Sequence, residues 1–104
     1  MAYKVKFTEK CLEDIEEICA YISEKTKNVS TSKKLRTQIK KKTENLIKTP
    51  EMYAQIDKMD MLKRTYRKIV IKNYILLYTI DEIEKAVYVS HMYYSKKDYL
   101  KYLV

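Results

Sequence analysis

The spacing of apolar residues changes along the chain, from a helical period before residue 50 to a period of two after residue 65. In the first half, apolar residues return every three or four positions, as they do on one face of a helix. In the second half, the period of two is typical of strands, and the segment 74–80 is apolar on both faces, as expected for a central strand. Pro50 is the only proline and glycine is absent, so no flexible linker separates the halves. We therefore predict a single α+β domain over residues 1–104.

The N-terminal residues predict a short strand followed by a helix. Alternate residues of the segment 3–7, YKVKF, are apolar, so Tyr3, Val5 and Phe7 are expected to face the core. Thr8 is a suitable N-cap for a helix from about 9 to 25. The apolar stripe of this helix consists of Leu12, Ile15, Ile18, Cys19 and Ile22.

A second amphipathic helix is predicted from about 32 to 48, before Pro50. Its N-cap is expected to be one of Ser30, Thr31 and Ser32. Its apolar stripe consists of Leu35, Ile39, Leu46 and Ile47. Because the connection between the helices is short, they are expected to form a helical hairpin.

The second half predicts an antiparallel meander of three strands, over 66–72, 74–80 and 86–93. Asn73 marks the first turn and residues 81–85 the second. Ser95 and Asp98 have the spacing of a capping box, which indicates a short C-terminal helix. The predicted architecture is an N-terminal strand and a helical hairpin packed on a mostly antiparallel sheet.

The chain is strongly basic, with 22 Lys and Arg against 14 Asp and Glu, a net charge of +8 and a pI near 9.4. Such an excess favours a polyanionic partner, either a nucleic acid or an acidic protein. The alternative is a soluble lysine-rich surface that binds no nucleic acid.

The cysteine and histidine content argues against a disulfide or a metal site. Cys11 and Cys19 lie eight residues apart in one predicted helix, about 12 Å along its axis, which is too far for a disulfide. A single histidine leaves no standard zinc ligand set. We expect free thiols at core or boundary positions, no cofactor and no metal. The N-terminus is charged at once and no apolar run reaches membrane length, so a cytoplasmic protein is predicted.

The order of elements, at this length, resembles the RelE/ParE superfamily of toxins from type II toxin–antitoxin systems. The most specific part is residues 67–99, RKIVIKNYILLYTIDEIEKAVYVSHMYYSKKDY. There an arginine opens a strand, an aromatic–aliphatic strand ends in Tyr78, and an acidic turn follows. The next strand runs into a histidine, aromatic residues, lysines and an aspartate.

The resemblance implies a growth-inhibiting protein, associated with plasmid stabilisation and held inactive by a cognate acidic antitoxin. RelE-like members cut mRNA in the ribosomal A site without metal, as endoribonucleases. ParE-like members poison DNA gyrase and are not nucleases. The fold alone does not separate these activities.

For a nuclease, the resemblance implies His91, Tyr94 and Arg67 as catalytic residues. His91 titrates near neutrality and is a candidate general base or acid. The alternative is a boundary residue bonded to backbone, since strand parity places it with Val87 and Val89. Tyr94 is a candidate acid–base or base-stacking group, or a packing residue. Arg67 is a candidate phosphate clamp, or a partner for a carboxylate at the sheet edge.

Several cations are predicted to form a nucleic-acid-binding rim around these residues, although each alone is compatible with a solvated side chain. They are Lys58, Lys63, Arg64, Lys68, Lys72, Lys96 and Lys97. One position departs from the RelE-like pattern. Where those nucleases carry an arginine, after the aromatic residue that opens the middle strand, this chain has Ile75. The substitution removes one cation expected to stabilise the transition state.

Overall fold

The computed structural model describes residues 2–56 and 65–95. They form strand β1, helix α1, helix α2 with a following 3-10 turn, and strands β2 to β4. The bounds are Lys4–Phe7, Glu9–Thr26, Val29–Glu44, Asn45–Ile47, Arg67–Ile71, Tyr74–Asp81 and Ala86–Tyr94. The element types and their order agree with the prediction. The predicted C-terminal helix lies outside the described residues.

The four strands form one mixed sheet in the order β1-β4-β3-β2. The last three strands are an antiparallel meander, and β1 pairs with β4 in parallel. The helical hairpin connects β1 to β2, the two edge strands, and packs on one face of the sheet, which we call the inner face. This arrangement confirms the predicted α+β class and the mostly antiparallel sheet.

The main core lies between the inner face and the two helices. Ile69, Leu76, Tyr78 and Val87 contribute from the sheet and are fully buried. The helices contribute Cys11, Ile15, Cys19, Leu35 and Ile39. Both cysteines are free and buried, as predicted, and burial raises the pKa of the Cys11 thiol to about 12.

The start of α2 differs from the prediction. The helix begins at Val29, and its N-cap is Asn28, whose side-chain oxygen accepts a hydrogen bond from the Ser30 amide at 3.0 Å. The prediction of a cap at Ser30, Thr31 or Ser32 was wrong, because Lys27 already ends α1 in a left-handed conformation. The chain reverses over two residues, Lys27 and Asn28. Asn28 is the first residue after α1 whose side chain can act as the N-cap of α2.

The apolar stripes are also shifted at their ends. Thr8 caps α1 as predicted, accepting a hydrogen bond from the Cys11 amide at 3.1 Å. Cys11 is then fully buried, whereas the predicted core residue Leu12 is 50% exposed. Ile47 is likewise at the surface. The two exposed residues border the same groove, described below.

The edge of β2 is covered by a segment for which the sequence predicted no element. The Ile56 amide donates to the Tyr66 carbonyl and the Lys68 amide donates to the Ala54 carbonyl, both at 3.0 Å. Behind this segment, the buried Tyr78 hydroxyl donates to the Pro50 carbonyl at 2.7 Å. These bonds close an edge that would otherwise expose unpaired backbone groups.

A bulge interrupts the pairing of β3 with β4. Tyr78 pairs with Val89, but the adjacent Leu77 pairs with His91, so Ser90 is an additional residue on β4. A bulge of this kind sets two residues of one strand opposite one residue of its partner. It changes the face of every later side chain in β4, which has direct consequences for the candidate site.

Three lysines occupy backbone conformations that usually favour glycine. Lys27, Lys72 and Lys85 have φ values of 55°, 52° and 52°. A residue with a Cβ atom pays roughly 1–2 kcal/mol in this region. Each lysine ends a helix or lies in a strand turn, where the chain must reverse, and a chain without glycine must accept this cost.

We expect Lys27→Gly to stabilise the protein by about 0.5–1 kcal/mol, because the relief of steric strain exceeds the extra entropy of glycine in the unfolded chain. Denaturant unfolding measures the change. Lys34→Gly, at an exposed position inside α2, is the matched control and should lower stability by about 1 kcal/mol. Equal losses in both variants would show that the αL conformation of Lys27 stores no strain.

Candidate functional site

His91 lies on the outer face of the sheet, opposite the helices. The prediction that it shares a face with Val87 and Val89 was wrong, because the bulge at Ser90 reverses the alternation. Val87 and Val89 belong to the main core, whereas the half-buried His91 ring contacts two tyrosines. It stacks on Tyr93 with centroids 5.6 Å apart and meets the edge of Tyr66 at 6.0 Å.

The tyrosines around His91 belong to a second apolar cluster, on the outer face. Its members are Ile56, Tyr66, Ile75, Leu77 and Tyr93. Ile75 is therefore buried among apolar neighbours, at the position where the RelE-like pattern has an arginine. Within the described residues, the centre of this face is therefore apolar.

Burial lowers the pKa of His91 below its usual value of 6.5, and the charge of nearby Asp14 opposes this shift. The imidazole is accordingly neutral at pH 7 and has one nitrogen able to accept a proton. Nδ1 lies 2.8 Å from the Ser90 hydroxyl. A neutral, partly exposed histidine meets the first requirement for a general base.

The first turns of α1 hold the part of β4 that contains His91. The Thr8 amide donates to the Val89 carbonyl at 3.0 Å, and the Thr8 hydroxyl donates to the Ser90 carbonyl at 3.2 Å. Two residues further on, the buried carboxylate of Asp14 accepts the Met92 amide proton at 3.1 Å. These three bonds replace the strand pairing that β4 lacks beyond the end of β1.

Asp14 also forms an ion pair with Lys10, one turn earlier in α1. Its hydrogen bond with Asp14 raises the pKa of Lys10. The two side chains line a surface pocket of about 430 Å³ with His91 and Tyr94. The pocket therefore has an imidazole, a phenol and an ion pair within one small surface.

Tyr94 borders this pocket but extends from the inner face of β4. Its ring meets the edge of Tyr74 with centroids 5.7 Å apart, and 41% of the residue is exposed. The structure thus brings His91 and Tyr94 to the same pocket from opposite faces of one strand.

Arg67 does not line this pocket and extends from the inner face of β2, two strands away from β4. It pairs with Tyr78 on β3, and its Nη1 donates to the Tyr53 carbonyl at 2.7 Å and the Glu51 carbonyl at 3.2 Å. The bonds attach the loop before β2 to the sheet. The guanidinium is held by backbone carbonyls. The sequence analysis considered only a phosphate or a carboxylate as its partner.

Among the predicted rim residues, Lys68 and Lys72 fall in the part of the chain that the structure describes. Lys68 pairs with Leu77, which in turn pairs with His91, so Lys68 and His91 belong to one row across the outer face. Lys72 is exposed in the turn between β2 and β3. The other predicted rim residues lie outside the described residues: Lys58, Lys63, Arg64, Lys96 and Lys97.

Sequence reasoning missed three residues of this site: Lys10, Asp14 and Ser90. The sequence analysis did not single out Asp14, although it directly precedes Ile15 in the apolar stripe. Ser90 was read as an ordinary strand residue. The spacing from Val89 to the next inner residue, Met92, is three positions and was the available signal of a bulge.

A separate apolar groove of about 570 Å³ lies between β1 and the helical hairpin. Its apolar lining consists of Val5, Phe7, Leu12, Ile15, Ile39 and Ile47. At its rim, Arg36 of α2 forms an ion pair with Glu16 of α1 at 2.8 Å. The groove explains why Leu12 and Ile47 are exposed despite their place in the apolar stripes.

The fold and the sequence together establish the family. The family model for the ParE toxin of the type II toxin–antitoxin system parDE matches residues 5–99. The chain therefore belongs to this toxin family, within the RelE/ParE superfamily. No curated protein sequence matches it.

Solved structures with the same fold include Escherichia coli RelE. A double-arginine mutant of that toxin in the free state has 23% sequence identity and a TM-score of 0.67, covering 99% of this chain and 94% of that one. RelE in the intact RelBE toxin–antitoxin complex has 22% identity and a TM-score of 0.63, covering 92% and 100%. The isolated RelE toxin has 22% identity and the same TM-score, covering 97% and 93%.

Within residues 2–56 and 65–95, no helix has the length and apolar character needed to cross a membrane. The same residues contain no cluster of three or more potential metal ligands.

Stability should depend on His91 below pH 6.5. Because its pKa is lower in the folded state, the unfolded state binds more protons between the two values, and stability is lost as the pH falls through this range. His91→Gln removes this contribution. Urea unfolding of both proteins between about pH 7.5 and pH 5 measures it, and the wild type should lose more stability than the variant. Parallel profiles would contradict the burial of a neutral imidazole.

Proposed function

We propose that this toxin inhibits translation by cutting mRNA on the ribosome, with His91 as the general base. The observation that supports this most directly is the setting of His91. Its imidazole is kept neutral by burial, borders a surface pocket and is held on a strand that α1 fixes in place. A base with these properties accepts a proton at neutral pH.

The reaction needs no metal. His91 takes the proton of an RNA 2′-hydroxyl, whose oxygen then attacks the adjacent phosphorus. The bond from phosphorus to the 5′ oxygen of the next nucleotide breaks, leaving a 2′,3′-cyclic phosphate. Tyr94, at the same pocket, is the candidate donor of the proton that the leaving oxygen requires. The products are a cyclic phosphate end and a 5′-hydroxyl end.

Of the two predicted rim lysines within the described residues, Lys68 is the better placed to bind the phosphate. It lies two strands from His91 in the same row of the outer face, about 10 Å away between backbones. A phosphodiester bound between the two side chains would be within reach of both. Tyr66, beside His91, offers an aromatic edge at the same place. Arg67 stays a candidate phosphate clamp, from its position at the start of β2.

We expect His91→Gln to lower mRNA cleavage by about 10²–10⁴-fold, the usual contribution of a general base. Cleavage is measured by primer extension on ribosome-bound mRNA. Lys68→Gln should weaken it less, and Lys33→Gln, at an exposed position on α2, is the matched control for lost charge. In cells, methionine incorporation should collapse before thymidine incorporation after induction.

Full cleavage by His91→Gln would overturn the assigned base. If thymidine incorporation fails first, the target is DNA synthesis and the nuclease mechanism is wrong.

A second candidate function, poisoning of DNA gyrase, is favoured by one observation. The centre of the outer face is an apolar cluster around Ile75, where a nuclease of the RelE type is expected to place a cation. Such a surface suits contact with a protein better than contact with a phosphate. In that case His91→Gln would retain toxicity.

We propose that the groove between β1 and the helical hairpin binds an apolar segment of the cognate antitoxin. The groove combines exposed Leu12 and Ile47 with charged rim residues from both helices. The basic excess of the chain is complementary to an acidic antitoxin. Binding is expected to weaken as salt is raised, because charge guides the encounter.

We expect Leu12→Asp to weaken antitoxin binding by at least about tenfold, because a carboxylate in an apolar interface loses its hydration. Isothermal titration measures the affinity. Ile83→Asp is the matched control, since Ile83 is 94% exposed in the turn before β4. Both variants should fold, because both positions are exposed. Equal affinities would exclude the groove, and affinity independent of salt would exclude steering by charge.

A further inference from the structure

The bulge in β4 places a hydroxyl group where it can determine which nitrogen of His91 carries the proton. A neutral imidazole has one protonated and one unprotonated nitrogen, and the partner of each decides between the two tautomers. His91 Nδ1 lies 2.8 Å from the Ser90 hydroxyl oxygen. In this short contact, either Nδ1 or the Ser90 hydroxyl must donate the proton.

A backbone carbonyl of β3 indicates which of the two groups donates the proton. The Ser90 hydroxyl donates to the Leu77 carbonyl at 3.4 Å, across the bulge. A carbonyl oxygen only accepts, and a serine hydroxyl has a single proton. With that proton directed to Leu77, the Ser90 oxygen can only accept from His91. Nδ1 therefore carries the imidazole proton, and Nε2 is left with its lone pair.

The position of Ser90 is fixed from the other side of the strand. Its carbonyl accepts the Thr8 hydroxyl proton at 3.2 Å, and the preceding Val89 carbonyl accepts the Thr8 amide proton at 3.0 Å. Thr8 is itself fixed as the N-cap of α1. The Ser90 side chain is consequently held against both Leu77 and His91.

We propose that Ser90 is a positioning residue that holds His91 in the Nδ1–H tautomer and leaves Nε2 as its proton acceptor. The assignment of Nε2 as the catalytic base rests on the proposed nuclease function. The tautomer itself does not, since it follows from the hydrogen bonds of Ser90. Asp14 and Lys10, the charged groups that face His91 from α1, affect its charge state but are engaged with each other.

The tautomer can be read directly by NMR, because His91 is the only histidine of the chain. Long-range ¹H–¹⁵N correlation on protein labelled with ¹⁵N-histidine, well above the pKa, distinguishes a protonated from an unprotonated ring nitrogen. We expect a protonated-type shift at Nδ1 and an unprotonated-type shift at Nε2. The Nε2–H pattern in the wild type would overturn the proposal without any variant.

Ser90→Ala removes the acceptor and should move the population toward the Nε2–H tautomer, which an unconstrained histidine favours in water. Ser90→Thr keeps the hydroxyl and should restore the Nδ1–H pattern. Ser23→Ala is the matched control, since it removes a hydroxyl hydrogen bond at 3.0 Å on α1 and should leave the imidazole shifts unchanged. An unchanged Nδ1–H pattern in folded Ser90→Ala would overturn the role of Ser90.

Cleavage of ribosome-bound mRNA separates this proposal from the proposed function. If both are right, Ser90→Ala lowers cleavage about tenfold, the order of one neutral hydrogen bond, and Ser90→Thr recovers it. If the tautomer responds as expected while His91→Gln cuts mRNA normally, the positioning by Ser90 stands and His91 is not the general base. If the tautomer responds as expected while the wild type cuts no mRNA, the positioning stands and the nuclease function falls.

Discussion

The contact between the N-terminal turns of α1 and the last strand is the interaction on which the rest of the structure depends. Beyond Phe7, β1 no longer accompanies β4, so the strand would present unpaired backbone groups. Thr8 and Asp14 supply the missing partners for Val89, Ser90 and Met92. A buried polar backbone group without a partner costs about 1–3 kcal/mol, so these two residues stabilise the part of β4 that only β3 accompanies, up to Tyr94.

The same contact connects the helix to the chemistry. Thr8 caps α1 and holds the bulge at Ser90. Asp14 holds Met92, two residues further along β4. His91 lies between these two attachments. Its position therefore depends on residues more than seventy positions away in sequence. A change in the orientation of α1 would first change the position of His91.

Element types and order were predictable because each depends on local spacing of apolar residues. Two amphipathic helices and three alternating strands can form few layered arrangements, and Thr8 and Pro50 marked helix ends correctly. The cap of α2 was predicted wrongly, since it depends on the αL conformation of Lys27, which composition alone does not reveal. The parallel pairing of β1 and the cover on β2 are long-range features and left no local pattern.

The candidate site was less predictable than the fold. Alternation was assumed to continue through β4, so His91 was placed with Val87 and Val89 instead of with Leu77. Asp14 was not identified from the sequence, because its partner is a backbone amide 78 residues away. Arg67 was assigned to a phosphate or a carboxylate, whereas its bonds are to main-chain carbonyls, which no side-chain pattern encodes. Lys68 stays a predicted phosphate-binding residue, and its row with His91 follows only from the strand register.

The additional residue at Ser90 also affects how relatives are compared with this chain. In a relative whose last strand has no bulge, each residue aligned without a gap to one of positions 91–94 would point to the other face of the sheet than its counterpart in this chain. A one-residue gap at Ser90 restores the correspondence of faces. Sequence identity counted across β4 without that gap would match inner residues with outer ones, and a catalytic residue transferred by position would be displaced by one.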